Sequence, residues 1–537
     1  MNLKISNFLK GIISLVISQI LIKIFGVIYT LYITNKSGFG DQGNAIYMSG
    51  YQIYALLLTI SSIGVPNAIS KIISEKKSIK DTVNEKRILL ISIMLFAIIG
   101  FLGTIILFFG ADIIANNILM IPKAKLSIKV LSPAVFFVSV ASVFRGYFNG
   151  KDKIQITALS QFIEQLLKSI LTIIFVEITD KISNNNTEVM AAAANFATTV
   201  ATCMSLLLVL KKYINLSKGV VNGYDYKKES ISKIIKSILI ISIPITTSAI
   251  LSSIGKNIDS ITIVRILKNI LGEETAISRY GILSSKVDVL ISFPLAFNIA
   301  VSTALIPEIS KLKIKNDIEG VIQKINLSLT ISIIIGIPCT VGMFFYSEQI
   351  FELLFPNALA GSELLKMASI TIIFSLLTQT INGVLQGIGK NNIPLIASIV
   401  GIVLKILCNI ILVPIQGIYE KGAIIGNIIS SIASFIIVCT IMEKNVKTNF
   451  NFITISLKSI LSSIVMILAS YKMYIVFNNM NINKKICIIN SLIIAVIVYF
   501  FLIFLNKILK NIKMLKILKK VTFKNFKLWN YWKINKK

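Results

Sequence analysis

Long apolar segments recur along the whole chain and are separated by short polar stretches. Each segment is about 18–25 residues long, the length at which an α-helix crosses roughly 30 Å of hydrocarbon. Ile and Leu dominate the segments, and there is no alternation of period two, which disfavours an outer-membrane barrel. Because a backbone in lipid must satisfy its own hydrogen bonds, the segments are predicted to be helical. The pattern predicts an all-α integral membrane protein with about fourteen transmembrane helices.

The predicted spans fall into three groups. The first six lie near residues 11–33, 45–66, 88–110, 130–149, 155–178 and 189–210, and the next six near 234–256, 277–305, 325–346, 364–388, 393–415 and 422–442. Two more lie near 453–476 and 485–506. We therefore divide the chain into a first lobe at 1–220, a second lobe at 221–447, a helix pair at 448–508 and a basic cytoplasmic tail at 509–537.

An internal repeat relates the two predicted lobes. Two motifs recur in the same order: a proline followed by a Ser-Lys pair, and a Gly-x-x-x-Gly pair followed 18 residues later by a lysine. The first copies contain Pro66, Lys71, Gly146, Gly150 and Lys168, and the second copies contain Pro307, Lys311, Gly383, Gly387 and Lys405. The repeat predicts two pseudo-symmetric six-helix lobes of equal orientation, which in transporters flank the substrate path.

The basic residues indicate the orientation of the chain. The formal net charge is +31, and Lys and Arg cluster between the apolar segments and in the tail. With a cytoplasmic N-terminus, about two-thirds of them fall on the cytoplasmic side, which predicts a cell-membrane protein with both termini inside. This distribution argues against nucleic acid as a partner. The tail either is solvated or lies on anionic lipid, and the pattern carries no information on the oligomeric state.

Charged residues inside predicted spans are the candidate site, because each costs roughly 2.5–3.5 kcal/mol at a helix centre. They are Lys23, Lys168, Lys256, Lys286, Lys405, Glu164, Asp259 and Asp288. Glu164 and Lys168 are four residues apart on one helical face and are expected to pair. The excess of lysines predicts an anionic substrate such as a phosphate or diphosphate. Lys168 and Lys405, at matching places in the repeat, are expected to flank its headgroup. Structural ion pairs and snorkelling lysines are the alternative for each residue.

No enzyme motif is present. The chain has no histidine and no P-loop, GxSxG or HExxH sequence. Its 5 cysteines lie in apolar segments without a CxxC pair, so neither a disulfide framework nor a zinc site is indicated. We therefore predict a transporter rather than an enzyme.

Several segments resemble those of a known family. They are residues 23–26 with 54–71, residues 144–150 followed by 161–165, and residues 293–311. These segments resemble the polysaccharide-biosynthesis flippases, and within them the branch of stage V sporulation protein B and the MurJ-like lipid II flippases. That branch belongs to the multidrug/oligosaccharidyl-lipid/polysaccharide (MOP) exporter superfamily. The resemblance covers nearly the whole chain and implies two six-helix lobes plus two helices.

The resemblance also implies a function. A flippase of this branch would move an undecaprenyl-diphosphate-linked glycan precursor, lipid II first of all, to the outer leaflet by alternating access. Lys23, already a candidate, matches a basic position on the family's first span, and Arg145 matches its Phe-Arg-Gly motif and joins the candidate site. No cofactor is implied. A coupling cation, Na⁺ or H⁺, or the membrane potential would drive transport, and Asp259 is the candidate for holding such a cation.

Three alternatives stay open. Another lipid-linked oligosaccharide, for a surface polysaccharide or spore cortex, would keep the fold and change the substrate. A cation-coupled multidrug antiporter should have an acidic cavity, whereas this chain offers lysines. A membrane-embedded glycan polymerase or ligase would act on lipid-linked sugars without moving them.

Overall fold

The computed structural model describes residues 7–62, 64–217, 228–390, 392–480 and 482–505, and within these ranges the chain is almost entirely helical, with no strand. The all-α class is confirmed. The predicted basic tail at 509–537 lies outside the described residues, as does the side chain of Lys256.

The first part of the chain forms seven helices. They are α1 (Asn7–Asn35), α2 (Gly40–Ser62), α3 (Gly64–Ser78), α4 (Thr82–Ile113), α5 (Ala124–Gly150), α6 (Ile154–Ser183) and α7 (Thr187–Ser217). A π-helical turn, Ile114–Ile118, extends α4. We call this set the first half.

The remaining helices begin at residue 231. They are α8 (Ile231–Leu271), α9 (Glu273–Gly281), α10 (Asp288–Ile314), α11 (Ile318–Phe345), α12 (Ser347–Leu354), α13 (Ser362–Ala368), α14 (Ile370–Gly387), α15 (Asn392–Leu412) and α16 (Glu420–Val446). We call these nine the second half. Then come α17 (Phe452–Asn479) and α18 (Lys484–Leu505). A π-helical segment, Ile282–Val287, joins α9 to α10.

Length and hydropathy confirm a multi-pass membrane protein. Among the described residues, 11 helical stretches are long and apolar enough to cross a membrane. Three further helices, α1, α6 and α8, have 29, 30 and 41 residues and are also long enough to span. The count of fourteen remains a prediction, and so do the boundaries between lobes.

Helix partners recur between the halves. In the first half α1 packs against α6 and α3 against α5, and in the second half α8 packs against α15 and α10 against α14. The long helix α8 also contacts α2, α3 and α4, so it connects the two halves. Outside them, α17 packs against α11, where Tyr346 Oη donates to Ser470 Oγ at 2.7 Å.

The repeated glycine pairs explain two of these contacts. A methyl group on Gly150 would lie 2.8 Å from the backbone oxygen of Ser70 on α3. In the second half, a methyl group on Gly383 would lie 2.8 Å from the backbone oxygen of Ser302 on α10. Each glycine pair thus lets its helix approach the backbone of the helix that carries the proline motif. The two motifs found in the sequence meet in space in both halves.

This packing predicts that Gly150→Ala lowers the free energy of unfolding by about 1–3 kcal/mol, because overpacked sites must displace their neighbours. Gly110→Ala is the control, since its methyl group would have 3.7 Å to the nearest side chain. Alanine favours helix over glycine by about 1 kcal/mol, so the control should be neutral or stabilised. Thermal unfolding in detergent measures both; equal midpoints would contradict the close approach.

Candidate functional site

A polar cavity of about 610 Å³ lies within the second half. Its lining comes mainly from α8, α10, α14, α15 and α16. Hydroxyl and amide side chains dominate the lining: Ser292, Ser302, Thr371, Ser375, Thr378, Gln379, Asn382, Gln386, Ser398, Asn427, Ser430, Ser431 and Ser434. Such a set offers many hydrogen-bond donors and acceptors with no net charge.

The cavity also contains three charged side chains of the predicted site, Asp259, Asp288 and Lys405. Lys405 Nζ on α15 lies 2.6 Å from Asp259 Oδ2 on α8 and donates to the Gly255 carbonyl oxygen at 2.6 Å. Asn409, one turn after Lys405, donates to Asp259 Oδ1 at 3.1 Å. With two carboxylates and one ammonium, the lining is slightly acidic, which differs from the cationic cavity that the lysine count predicts.

These contacts bear on Asp259 as a cation ligand. Both of its carboxylate oxygens already accept hydrogen bonds, one of them from an ammonium group. Among the described residues no group of three His, Cys, Asp or Glu side chains converges on one point. In this conformation the donor set does not fit a coupling cation at Asp259, because Lys405 supplies the positive charge there.

Lys168 on α6 lies apart from this cavity. Its side chain is buried, and its Nζ lies over three tyrosine rings, 3.8 Å from the centroid of Tyr51, 5.4 Å from Tyr29 and 6.0 Å from Tyr47. The hydroxyl groups of Tyr29 and Tyr47 are 3.1 Å apart. Ring faces attract cations, and more strongly when water is excluded. Lys168 and Lys405 therefore face different helices, and the structure does not bring them around a shared space.

Glu164 does not form the expected pair with Lys168. Its Oε2 lies 2.5 Å from Nη2 of Arg145, which is buried on α5. Arg145 also donates to Ser160 Oγ on α6 at 3.0 Å and to Ser205 Oγ on α7 at 2.8 Å. The expectation of an i, i+4 pair was wrong because the guanidinium reaches Glu164 from the neighbouring helix. Arg145 and Glu164 join three helices of the first half.

Lys286 forms an ion pair between the halves. It lies in the π-helical segment and is fully buried, and its Nζ is 2.6 Å from Asp41 Oδ1 near the start of α2. It also donates to the carbonyl oxygens of Ala358 at 2.7 Å and Ala360 at 3.1 Å. We call the Lys286–Asp41 pair the latch.

Further contacts join the halves at this end and near the middle of α2. Tyr280 Oη donates to Gln52 Oε1 at 2.8 Å, and Asn35 Nδ2 donates to the Leu354 carbonyl oxygen at 2.7 Å. Gly281 packs so closely that a methyl group there would lie 2.0 Å from the Asp41 carbonyl oxygen. The two halves are thus in direct contact at the end where α2 begins.

Two further residues of the predicted site are Lys23 and Lys256. Lys23 lies on α1 with a half-buried side chain, and the side chain of Lys256 is outside the described residues. Asp41 was missed because it precedes the predicted second span and looks like an ordinary loop charge. The tyrosines around Lys168 were missed too, although two of them, Tyr47 and Tyr51, are four residues apart and therefore share a helical face.

The comparisons with known proteins agree with this architecture. The model of the polysaccharide biosynthesis protein family matches residues 8–313. The chain belongs to the polysaccharide biosynthesis protein family. The MatE model matches residues 244–411, the part that contains most of the cavity. The expected resemblance to the MOP superfamily is confirmed.

Individual members of the family are similar to this chain in sequence and in structure. The chain is 26% identical to the lipid II flippase MurJ of Bacillus subtilis (strain 168) over 80% of this chain and 81% of that protein. It is 23% identical to stage V sporulation protein B of the same organism, over 74% of this chain and 76% of that one. A solved structure of lipid II flippase MurJ in an inward closed conformation has a TM-score of 0.68 at 18% identity, covering 93% and 100% of the two chains. These family members are transporters, in line with the lack of an enzyme motif.

The Arg145 contacts predict a structural role within this family fold. Arg145→Met should lower the free energy of unfolding by about 3–5 kcal/mol, since Glu164 then stays partly buried without its cation. The double variant Arg145→Met/Glu164→Met should recover much of the loss. As a control, Lys77→Met breaks an exposed pair with Asp152 and should cost below about 1 kcal/mol. Thermal unfolding of the purified variants decides; a single variant as stable as the control would contradict this role.

Proposed function

We propose that this chain is a flippase that moves an undecaprenyl-diphosphate-linked glycan, lipid II first of all, from the cytoplasmic to the outer leaflet by alternating access. One observation carries the proposal: most of the side chains that line the cavity in the second half are neutral hydroxyl and amide groups. Sugar rings present hydroxyl groups on all sides and need such partners when they leave water. The name of one similar protein, the lipid II flippase MurJ, points to the same substrate class.

Lys405 would bind the diphosphate in this proposal. Its ammonium is the one positive group among the described residues that line the cavity, and Asp259 shares it. An incoming diphosphate would compete with Asp259 for the ammonium, so binding would loosen the contact between α15 and α8. The glycan would occupy the polar cavity, while the prenyl chain would remain in the bilayer.

The latch would control access from one side. We place both termini in the cytoplasm, which puts the start of α2 at the outer surface. The structure then corresponds to a state closed to the outside, with Lys286 and Asp41 joining the halves. Opening outward requires this pair to separate, and its charges must then find water. Na⁺, H⁺ and the membrane potential remain the candidate driving forces.

A second candidate function is a multidrug antiporter of the same superfamily. The two carboxylates in the cavity favour it, because cationic drugs bind acidic sites, and the MatE model covers this region. A flippase for another lipid-linked oligosaccharide would use the same cavity as lipid II. Both alternatives differ from the first proposal in substrate and not in fold.

Translocation of fluorescent lipid II in proteoliposomes tests the proposal. Lys405→Met should slow it by at least about tenfold, because a hydrogen bond to a charged group contributes about 1.5–3 kcal/mol. Lys405→Arg keeps the charge and should retain more activity. Lys315→Met, which removes an exposed lysine after α10, is the matched control. Chromatographic and thermal-unfolding checks confirm that each variant is folded.

The outcomes separate the candidates. Transport by the native protein and by Lys405→Met alike would keep the flippase and reject Lys405 as the binding group. Efflux of cationic dyes without lipid II transport would favour the antiporter. Transport of a different lipid-linked glycan alone would change the substrate and keep the mechanism.

The latch predicts a charge-swap result. Asp41→Lys and Lys286→Asp should each reduce the initial rate of translocation, because like charges then meet between the halves. The combined variant Asp41→Lys/Lys286→Asp should recover part of the rate. Arg279→Gln is the control, since the Arg279–Glu420 pair lies within the second half. Single variants that transport at the native rate, or a double variant worse than both, would contradict a latch.

A further inference from the structure

A cationic pocket lies where α4 and α8 begin, away from both the cavity and the latch. It has a volume of about 320 Å³, and its lining includes Lys86, Arg87 and Lys228 together with the apolar side chains of Leu90, Ile91 and Ile231. No acidic residue belongs to the described lining. Three basic residues therefore border a space large enough for a phosphate group.

The nearby carboxylates are engaged elsewhere. Glu85 is 2.5 Å from Lys151, and Glu229 is 2.5 Å from Lys76. Within the described part of the chain, no carboxylate lies within ion-pair distance of the three cations, and Arg87 Nε is buried without a hydrogen-bond partner. An anion in the pocket would thus find an available donor.

Hydrogen bonds hold the two sides of the pocket together. The Glu229 backbone N–H donates to Asn84 Oδ1 at 2.9 Å, which places Lys228 beside α4. Asn84 in turn donates to Asp81, the residue that caps α4, at 2.8 Å. The helix α8 begins at this pocket without an acidic residue in its first turn, so the positive end of its dipole adds to the side-chain charges.

An apolar strip continues from the pocket along α8. Ile231 belongs to both, and the strip runs through Ile235 and Leu239 to Ile240 and Ile243. Ser232 and the exposed Lys236 are the polar residues that border it. Ile231, Ile240 and Ile243 are 55%, 61% and 56% exposed. A fixed positive pocket that opens onto an exposed apolar strip has the shape and polarity that complement an amphiphile with an anionic head.

We propose that this pocket binds the phosphate headgroup of an anionic phospholipid whose acyl chains lie along the apolar strip of α8. A soluble phosphate would use the cations and leave the strip uncovered, so the strip favours the lipid. The bound lipid would link α4 of the first half to α8, the helix that connects the halves. This site is independent of the substrate that the cavity takes.

Native mass spectrometry of the purified full-length protein, titrated with phosphatidylglycerol, tests the proposal. We expect one tightly retained lipid. Lys86→Gln/Arg87→Gln should weaken its binding about 25-fold, or about fivefold for each basic residue, which corresponds to about 1 kcal/mol each. Lys311→Gln/Lys315→Gln removes two exposed lysines of another basic segment and should leave the affinity unchanged.

Further measurements distinguish between the possible ligands. Leu239→Trp should obstruct the strip and weaken phosphatidylglycerol binding without affecting glycerol phosphate. Phosphatidylcholine bound as tightly as phosphatidylglycerol would overturn the role of the charges. Glycerol phosphate bound as tightly as the lipid would overturn the role of the strip. Equal losses in the test and control variants would show that the lipid binds elsewhere and would also overturn the proposal.

Discussion

A charged side chain inside a membrane-spanning helix needs a partner from the protein, because hydrocarbon provides neither a counter-ion nor a hydrogen-bonding group. Four buried cations of this chain satisfy that constraint in different ways. Lys405 meets Asp259, Lys286 meets Asp41, Arg145 meets Glu164, and Lys168 lies among tyrosine rings. Each match joins two or more helices, and those of Lys405, Lys286 and Lys168 join helices that are distant in the chain. The interactions that make the charges tolerable therefore also help determine which helices pack together.

The four contacts join different parts of the molecule. The proposed mechanism depends on which parts each contact joins. Those of Arg145 and Lys168 lie within the first half and join its helices to one another. The Lys405–Asp259 pair lines the cavity, where a substrate anion can replace the carboxylate. The Lys286–Asp41 pair crosses between the halves, where separation exposes both charges to water. The first half would then act as a rigid body, while exchange and opening depend on pairs that involve the second half.

The helix α8 has a part in several of these features. Its Asp259 belongs to the cavity, its first turn borders the cationic pocket, and its length of 41 residues lets it contact α2, α3, α4 and α15. A helix that touches both halves transmits a change at one contact to the others only if the contacts are stiff. Close packing supplies such stiffness between α3 and α8, because a methyl group on Gly64 would lie 2.7 Å from the backbone oxygen of Ser242 and these helices cannot slide without a clash.

The membrane character, the helical class, the family resemblance and the two pairs of repeated motifs could all be predicted from the sequence, because they follow from residue type and spacing along one chain. The sequence also pointed to nearly all of the buried cations. The residue that each buried charge contacts depends on the tertiary structure. Glu164 pairs with Arg145 on another helix instead of Lys168 one turn away, Asp41 reaches Lys286 across the halves, and Lys168 and Lys405 face different spaces. The physical reason is that a partner depends on how each helix is rotated and which helix packs beside it, and hydrophobic spacing alone does not encode either.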